Sequence, residues 1–311
     1  MRPLLTTIGS LPVLSREPQE AILKSVELQR AHGIELLTDG EQRADMLSLY
    51  ESLPGVRAEG GVPRIVGRIR PPEDPAEFSK IRDLDFLLRT FPGLSFKVSL
   101  TGPTTFAFSC ASSGAGPAYK GAADPALHDD LAEAIRAIAH EVASRGVELQ
   151  LDDPILSQGM RDYGPSLALI DAIASEVPRS RATLHVCGGL KRGNVLAALL
   201  SLRNVSTLNL AFAGLMEREN GTLLQTGSLE DRDMYLGVGC VAVQVSRVEE
   251  VMTPSDVASL LQEVSSRVGP DRLRYVLPDC GLRATPPGCV PAILSSLHEG
   301  YEKAFAGERS R

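Results

Sequence analysis

Eight short apolar runs recur along the chain, and stretches with helical periodicity separate them. They cover residues 4–8, 34–38, 96–100, 147–151, 182–186, 205–210, 234–238 and 273–277. Strands that alternate with helices predict a parallel sheet, and eight repeats favour a closed barrel over an open doubly wound sheet. The predicted fold class is therefore α/β, a single (β/α)8 TIM-like barrel.

The segment 253–269 illustrates the helical stretches. Thr253 is a good N-cap residue, Pro254 suits the first helical position, and Asp256 adds an acidic group to the first turn. Apolar residues then follow at spacings of three and four until Gly269, which predicts the end of the helix.

Two stretches do not fit a minimal barrel. Residues 60–70 predict a hairpin or loop insertion between the second and third strands. Residues 109–123, rich in Ala, Gly and Ser, predict a long loop after the third strand. Loops after barrel strands lie on the C-terminal face, where barrel enzymes place their chemistry.

Length and charge limit the classes of protein. A barrel needs roughly 250 residues, so the 311 residues fit one domain, 1–311, with insertions. The net charge of −7 argues against nucleic-acid binding. No apolar run reaches the ~18 residues of a membrane span, and the first residues make a poor signal peptide. Five scattered cysteines predict reduced thiols and a cytoplasmic protein.

His185 and Cys187 are the sharpest candidates for metal ligands. At i and i+2 on an extended segment, both side chains point to the same side. An imidazole and a thiolate there can share one Zn²⁺, and Cys280 at another strand end can supply a second thiolate. The alternative is that these residues simply fill the barrel, since cysteine behaves as a small buried hydrophobe.

Carboxylates form a second group at predicted strand ends. Glu41 follows the second strand, and Asp152 and Asp153 end the fourth. Carboxylates that converge there can bind an ammonium group, act as acid and base, or ligate a metal. Asp39 or Asp153 can instead cap the following helix.

Six sequence blocks, in order and spanning nearly the whole chain, resemble one known family. They are TTIGSLP, DGEQRADML, KVSLTGPTTF, LQLDDP, LHVCGG and LPDCGLR. Together they resemble the catalytic carboxyl-terminal barrel of cobalamin-independent methionine synthase, within the uroporphyrinogen decarboxylase/methionine synthase-like superfamily. The resemblance implies a TIM-like barrel and a zinc ion that activates the thiol of homocysteine for methyl transfer.

The resemblance also assigns roles to individual residues. It implies zinc ligation by His185, Cys187 and Cys280. It implies that Glu41 and Asp152 hold the amino group of homocysteine and are the catalytic carboxylates. The stretch of Ile8, Gly9 and Ser10 matches the family segment that receives the backbone end of this amino acid.

The chain departs from the family pattern at several positions. Ala211, with Asn209 nearby, stands where the family has a glutamate as fourth zinc ligand. Gln244 stands where the long enzymes have a proton-donating histidine, and Asp153 replaces a glutamate. The chain has no tryptophan to pack a folate and room for only one of the two family barrels.

These departures point away from a folate as methyl donor. A folate amine must be protonated to leave, whereas cobalt(I) leaves without a proton. The resemblance therefore implies zinc-dependent methyl transfer from methylcobalamin or a methylated corrinoid protein to L-homocysteine. Transfer to another thiol such as coenzyme M, and a metal-free tetrapyrrole decarboxylase-like or binding barrel, are the alternatives. Two retained carboxylates favour an acceptor that carries an ammonium group.

Overall fold

The structure is a computed structural model that describes residues 2–59, 62–112, 114–215, 217–225 and 227–306. Its main sheet has eight strands, which agree with the eight predicted runs. They are β1 (Leu4–Leu5), β2 (Leu36–Leu37), β5 (Ser95–Thr101), β6 (Glu148–Asp152), β7 (Ala182–Val186), β8 (Thr207–Ala211), β9 (Tyr235–Val241) and β10 (Leu273–Pro278). A separate hairpin consists of β3 (Val56–Glu59) and β4 (Val62–Ile65).

The eight strands close into a parallel barrel. Their order is β1-β10-β9-β8-β7-β6-β5-β2, and each of these pairs is parallel. A parallel bridge between Thr6 and Leu36 joins the two ends of this order. The predicted TIM-like barrel is confirmed, and all strand carboxyl ends open on one face.

Helices connect most of the strands. They are α1 (Pro18–Ala31), α2 (Ser79–Thr90), α3 (Pro103–Cys110), α4 (Pro125–Ser144), α5 (Gly164–Ala174), α6 (Val195–Leu199), α7 (Pro254–Val268) and α8 (Val290–Ala304). Helix α7 has the predicted bounds, and Thr253 and Asp256 form a reciprocal capping box. Between β8 and β9 the described residues form short 3₁₀ turns, Arg218–Leu223 and Glu230–Arg232.

Both predicted insertions exist, with different bounds. The hairpin begins at Val56, before the predicted start, and Gly60 and Gly61 lie outside the described residues. Ser109 and Cys110 belong to α3, so the predicted loop 109–123 begins only after that helix. Ser113 in this loop also lies outside the described residues.

Helix packing encloses the barrel. Helix α4 buries Leu131, Ile135, Ile138 and Val142 at the spacing that predicts an inward face. Each such side chain contributes about 1.5–3 kcal/mol when it leaves water. Within the described residues no helix is long and apolar enough to span a membrane.

Candidate active site

Three side chains of the types that ligate metals meet at the open face of the barrel. His185 lies in β7, Cys187 follows that strand, and Cys280 follows β10. One ligand atom from each lies within 4.8 Å of the others. His185 is buried and the two cysteines are half-buried. The barrel closure therefore brings together two segments that are distant in the sequence.

A backbone hydrogen bond orients the His185 ring. Its Nδ1 lies 3.1 Å from the carbonyl oxygen of Asn209 on β8, the register partner of His185. A carbonyl only accepts, so Nδ1 carries the proton and Nε2 keeps a lone pair. Nε2 is buried without a hydrogen-bond partner. A lone pair fixed in this way, beside two thiols, suits a metal such as zinc.

Their surroundings shift the pKa values of the two thiols in opposite directions. A hydrogen bond from Cys187 lowers the pKa of Cys280 to about 4 against the effect of burial, and the nearby His185 ring adds to the lowering. The same contact with Cys280, together with burial, raises the pKa of Cys187. These contacts favour the thiolate form of Cys280, and thiolate is the form that binds metals.

Glu41 occupies a strained turn directly after β2. It has a left-handed φ of 52°, after Gly40 with a φ of 68°. Such a conformation costs a non-glycine residue about 1–3 kcal/mol and persists only where neighbours hold it. Its N–H donates to Asp39 Oδ1 (3.1 Å), and Arg283 donates to its carbonyl oxygen. Ser99 Oγ donates to its carboxylate (3.2 Å).

Glu41 and Asp152 form a buried acidic pair. Burial, together with the charges of Asp152 and Asp39, raises the pKa of Glu41 to about 7, against the lowering effect of the nearby Lys80. Burial also raises the pKa of Asp152 to about 6, against the lowering effects of His185 and neighbouring hydrogen-bond donors. Two buried carboxylates close together repel each other, so a cationic partner stabilises their ionised forms. The pair lies close enough to the cysteines for Cys280 to raise the pKa of Asp152.

The segment after β1 joins both groups. A Cβ on Gly9 would lie 3.2 Å from Glu41 Oε1, and a Cβ on Gly281 would lie 2.1 Å from Ser10 Oγ. The carbonyl of Ser10 accepts from Leu282 N (2.8 Å), which ties this segment to the loop that carries Cys280. Ile8, Gly9 and Ser10 thus border the acidic pair and the cysteines.

Asp153 caps a helix other than the predicted one. Its carboxylate accepts from the N–H of Thr104 (3.3 Å), the N–H of Thr105 (2.8 Å) and the hydroxyl of Thr105 (2.6 Å). These groups open α3, whereas the 3₁₀ turn after Asp153 receives no side-chain cap. Asp39 also does not cap a following helix, since it pairs with Lys80 Nζ at 2.9 Å.

Neither Ala211 nor Asn209, where the resemblance places the fourth zinc ligand, carries a carboxylate. Ala211 is buried at the end of β8. The Asn209 amide donates to Gln150 Oε1 (3.0 Å), and a Cβ on Gly237 would lie 1.9 Å from its Oδ1. The Asn209 side chain thus lies inside the barrel, with its Nδ2 towards Gln150 on β6 and its Oδ1 towards Gly237 on β9. Gln244 is exposed in the segment after β9.

Three buried polar residues near the site were not predicted. Lys97 and Gln150 lie inside the barrel beneath Asp152. Asp279 accepts from three backbone N–H groups of residues 212–214, at 2.5–3.1 Å, and so fastens the segment after β8 beside Cys280. Gln150 carries a signal in the sequence, because it precedes Asp152 by two and must share its side of the strand.

Residues 9–299 match the family model described as cobalamin-independent synthase, catalytic domain. The chain belongs to this family. The resemblance to the methionine synthase barrel is therefore confirmed.

Curated relatives have nearly the same length as this member of the cobalamin-independent synthase family. A methionine synthase of Methanothermobacter thermautotrophicus is 29% identical over 312 residues, covering 91% of this chain and 94% of the relative. A methionine synthase of Methanocaldococcus jannaschii is 28% identical over 315 residues, covering 91% and 93%.

Solved structures share the fold. A B12-independent methionine synthase from a Shewanella species, in complex with selenomethionine, covers all of both chains with a TM-score of 0.77 and 19% identity. A methyltransferase from Methanosarcina mazei covers 96% of this chain and 94% of its own, with a TM-score of 0.65 and 14% identity. At such identities these matches establish architecture alone. The family description is cobalamin-independent, so it does not support the corrinoid donor predicted from the sequence.

Proposed function

We propose that residues 1–311 act as one catalytic barrel domain that transfers a methyl group to the thiol of L-homocysteine, forming methionine. One observation carries the proposal: the ligand cluster of His185, Cys187 and Cys280 adjoins the buried acidic pair of Glu41 and Asp152. A thiol activator and an ammonium site side by side match the two ends of homocysteine. Relatives of the same length that are named methionine synthase support this assignment.

His185, Cys187 and Cys280 would hold a zinc ion beside the site of the acceptor thiol. Zinc bound there would supply Lewis acidity that lowers the pKa of the acceptor thiol. Two contacts hold this site in shape. The backbone carbonyl of Asn209 fixes the His185 tautomer, and the Asp279 carboxylate accepts from Gly214 N and so fastens the segment after β8 beside Cys280.

Glu41 and Asp152 orient the acceptor by its ammonium group. A hydrogen bond to a charged group contributes about 1.5–3 kcal/mol, and more when its partner would otherwise stay buried and unpaired. A sulfonate thiol such as coenzyme M carries no ammonium group, so two carboxylates have nothing to bind on it. The acidic pair likewise repels the carboxylates of a tetrapyrrole, so both alternatives are disfavoured.

In the transfer, a sulfur–carbon bond forms while the donor–carbon bond breaks. The electron pair leaves with the donor, and the thiol proton passes to solvent. Gln244 offers no acid for a donor nitrogen, and the chain has no tryptophan to stack on a pterin. These two observations favour a methylcorrinoid donor, against the family description, and make the donor the finer part of the proposal.

Single-turnover assays with homocysteine and either methylcobalamin or methyltetrahydrofolate test the donor. We expect methylcobalamin absorbance to decay with matching methionine formation, while methyltetrahydrofolate stays inert. Turnover with methyltetrahydrofolate at equal or higher rate would show that the donor is a folate. Methionine from neither donor would contradict methyl transfer itself.

Metal content tests the ligand cluster. Zinc analysis of the purified protein should give one ion per chain, lost together with activity in Cys187→Ser and Cys280→Ser. Cys289→Ser is the matched control, because Cys289 is a buried thiol at the N-cap of α8 that does not belong to the ligand cluster. Stoichiometric zinc in the Cys187→Ser, Cys280→Ser double variant would overturn the assignment.

A further inference from the structure

The side chain of Gln150 is buried in the barrel and forms four hydrogen bonds. Its Nε2 donates to Asp152 Oδ1 (2.7 Å) and to the carbonyl oxygen of Ile8 (2.7 Å). Its Oε1 accepts from Lys97 Nζ (2.6 Å) and from Asn209 Nδ2 (3.0 Å). An amide has two N–H groups and two lone pairs, so every position is filled.

The partners leave this amide one orientation. Lys97 only donates, and the carbonyl of Ile8 only accepts, so a flipped Gln150 would lose both bonds. The amide N–H groups must therefore face Asp152 and Ile8. Both of these residues border the predicted ammonium site, while Lys97 lies on the opposite side of the amide.

Lys97 gives this network its charge. It is buried on β5, and burial lowers its pKa to about 8 against the charges of Asp152 and Glu148. It is thus still mainly protonated at neutral pH. Hydrogen bonds that follow one another in a low dielectric polarise each other, so the ammonium of Lys97 strengthens the donation from Gln150 to Asp152.

We propose that Lys97 and Gln150 are positioning residues that hold the Asp152 carboxylate in the orientation that recognises the acceptor's ammonium group. Neither residue needs to touch the acceptor or a metal, since both act through Asp152. Selectivity for a thiol that carries an ammonium group then depends on Lys97, which is buried inside the barrel. This inference rests on the proposed function, because it assigns Asp152 to the ammonium group.

Binding measurements with two ligands separate this role from simple support of the fold. Homocysteine carries the ammonium group, and 4-mercaptobutyrate is the same chain without it. In Gln150→Met we expect the Kd for homocysteine to rise about ten-fold or more, as for the loss of a hydrogen bond to a charged group. The Kd for 4-mercaptobutyrate should change less than about two-fold, and zinc content should not change.

A second variant covers the case in which Gln150→Met fails to fold because it leaves Lys97 without its acceptor. Lys97→Met combined with Gln150→Met replaces both partners by apolar groups, which costs far less than leaving one buried and unpaired. This double variant should show the same loss of selectivity. Gln29→Met is the matched control, since Gln29 is an equally buried glutamine that bonds Ser25 and Thr38 instead.

The Asp152→Asn background shows whether Gln150 acts through Asp152. There the further change Gln150→Met should alter homocysteine binding less than about two-fold. Parallel weakening of both ligands, or full additivity with Asp152→Asn, would overturn the positioning role. Wild-type protein that binds both ligands equally would instead overturn the proposed ammonium site, and the inference with it.

Discussion

The carboxylate of Glu41 links the stability of the protein to its binding of an acceptor. It is buried, its pKa is raised to about 7 chiefly by that burial, and Ser99 donates to it. The variant Glu41→Gln keeps the shape of the side chain and an oxygen to accept from Ser99. It removes only the charge, so its effects isolate what that charge does.

The size of the effect follows from the pKa. An ordinary value of 4.5 against about 7 in the folded protein, at about 1.4 kcal/mol per pH unit, corresponds to about 3 kcal/mol. A raised carboxyl pKa destabilises the fold only where the group must ionise. The penalty is therefore absent below pH 4.5, grows as the pH rises, and is complete above about 7.

Urea unfolding at pH 5 and pH 8, without acceptor, measures this penalty. Glu41→Gln should exceed wild type in free energy of unfolding by about 3 kcal/mol at pH 8 and by less than about 1 kcal/mol at pH 5. Glu27→Gln, an exposed change on α1, should stay within about 0.5 kcal/mol. A gain that is missing at pH 8, or equal at both pH values, would refute the reasoning.

The same variant should lose function while it gains stability. Without the Glu41 charge, calorimetry should show homocysteine binding about ten-fold or more weaker, because a buried ammonium loses a charged partner. The opposite signs distinguish a binding carboxylate from a structural one, since strained or charged groups at functional sites often oppose stability. Unchanged homocysteine affinity would mean that Glu41 does not contact the acceptor.

Three further predictions concern pH and helix capping. The affinity for homocysteine relative to that for 4-mercaptobutyrate should rise from pH 6 to 8, because Glu41 and Asp152, with pKa values of about 7 and 6, ionise over this range. A ratio of the two affinities that calorimetry finds constant with pH would contradict this. Asp153→Ala should lower the free energy of urea unfolding by about 1–2 kcal/mol through the lost cap of α3, and unchanged stability would mean that the cap contributes nothing. Thr253→Ala should cost about 1 kcal/mol at α7 and leave the KM for homocysteine unchanged in kinetic assays, whereas a raised KM would tie α7 to the site.

Much of the fold follows from local sequence patterns. The eight strands and the bounds of α7 were predictable because periodicity and capping depend on residues within a few positions of each other. The candidate ligands were predictable for a related reason. Parallel strands place all their carboxyl ends on one face, so His185 and Cys280 could be expected to meet although 95 residues separate them.

Other features depended on the tertiary structure. The sequence offers Asp153 a helix that follows it, yet the register of β5 with β6 places it at the start of α3 instead. The left-handed turn at Glu41 requires Asp39, Ser99 and Arg283 to hold it. No local pattern specifies contacts of this kind.

The hydrogen bonds of Gln150 show most plainly why the pairing of buried polar groups could not be predicted from the sequence. Its partners Lys97 and Asn209 lie 53 and 59 residues away in sequence. Sequence alone determined that this chain forms a barrel with metal-ligating and acidic groups at its mouth, because those features arise from local patterns and strand direction. Only the closed barrel decided which buried polar groups pair, because a buried donor must find an acceptor wherever strand register and barrel closure bring one within about 3 Å.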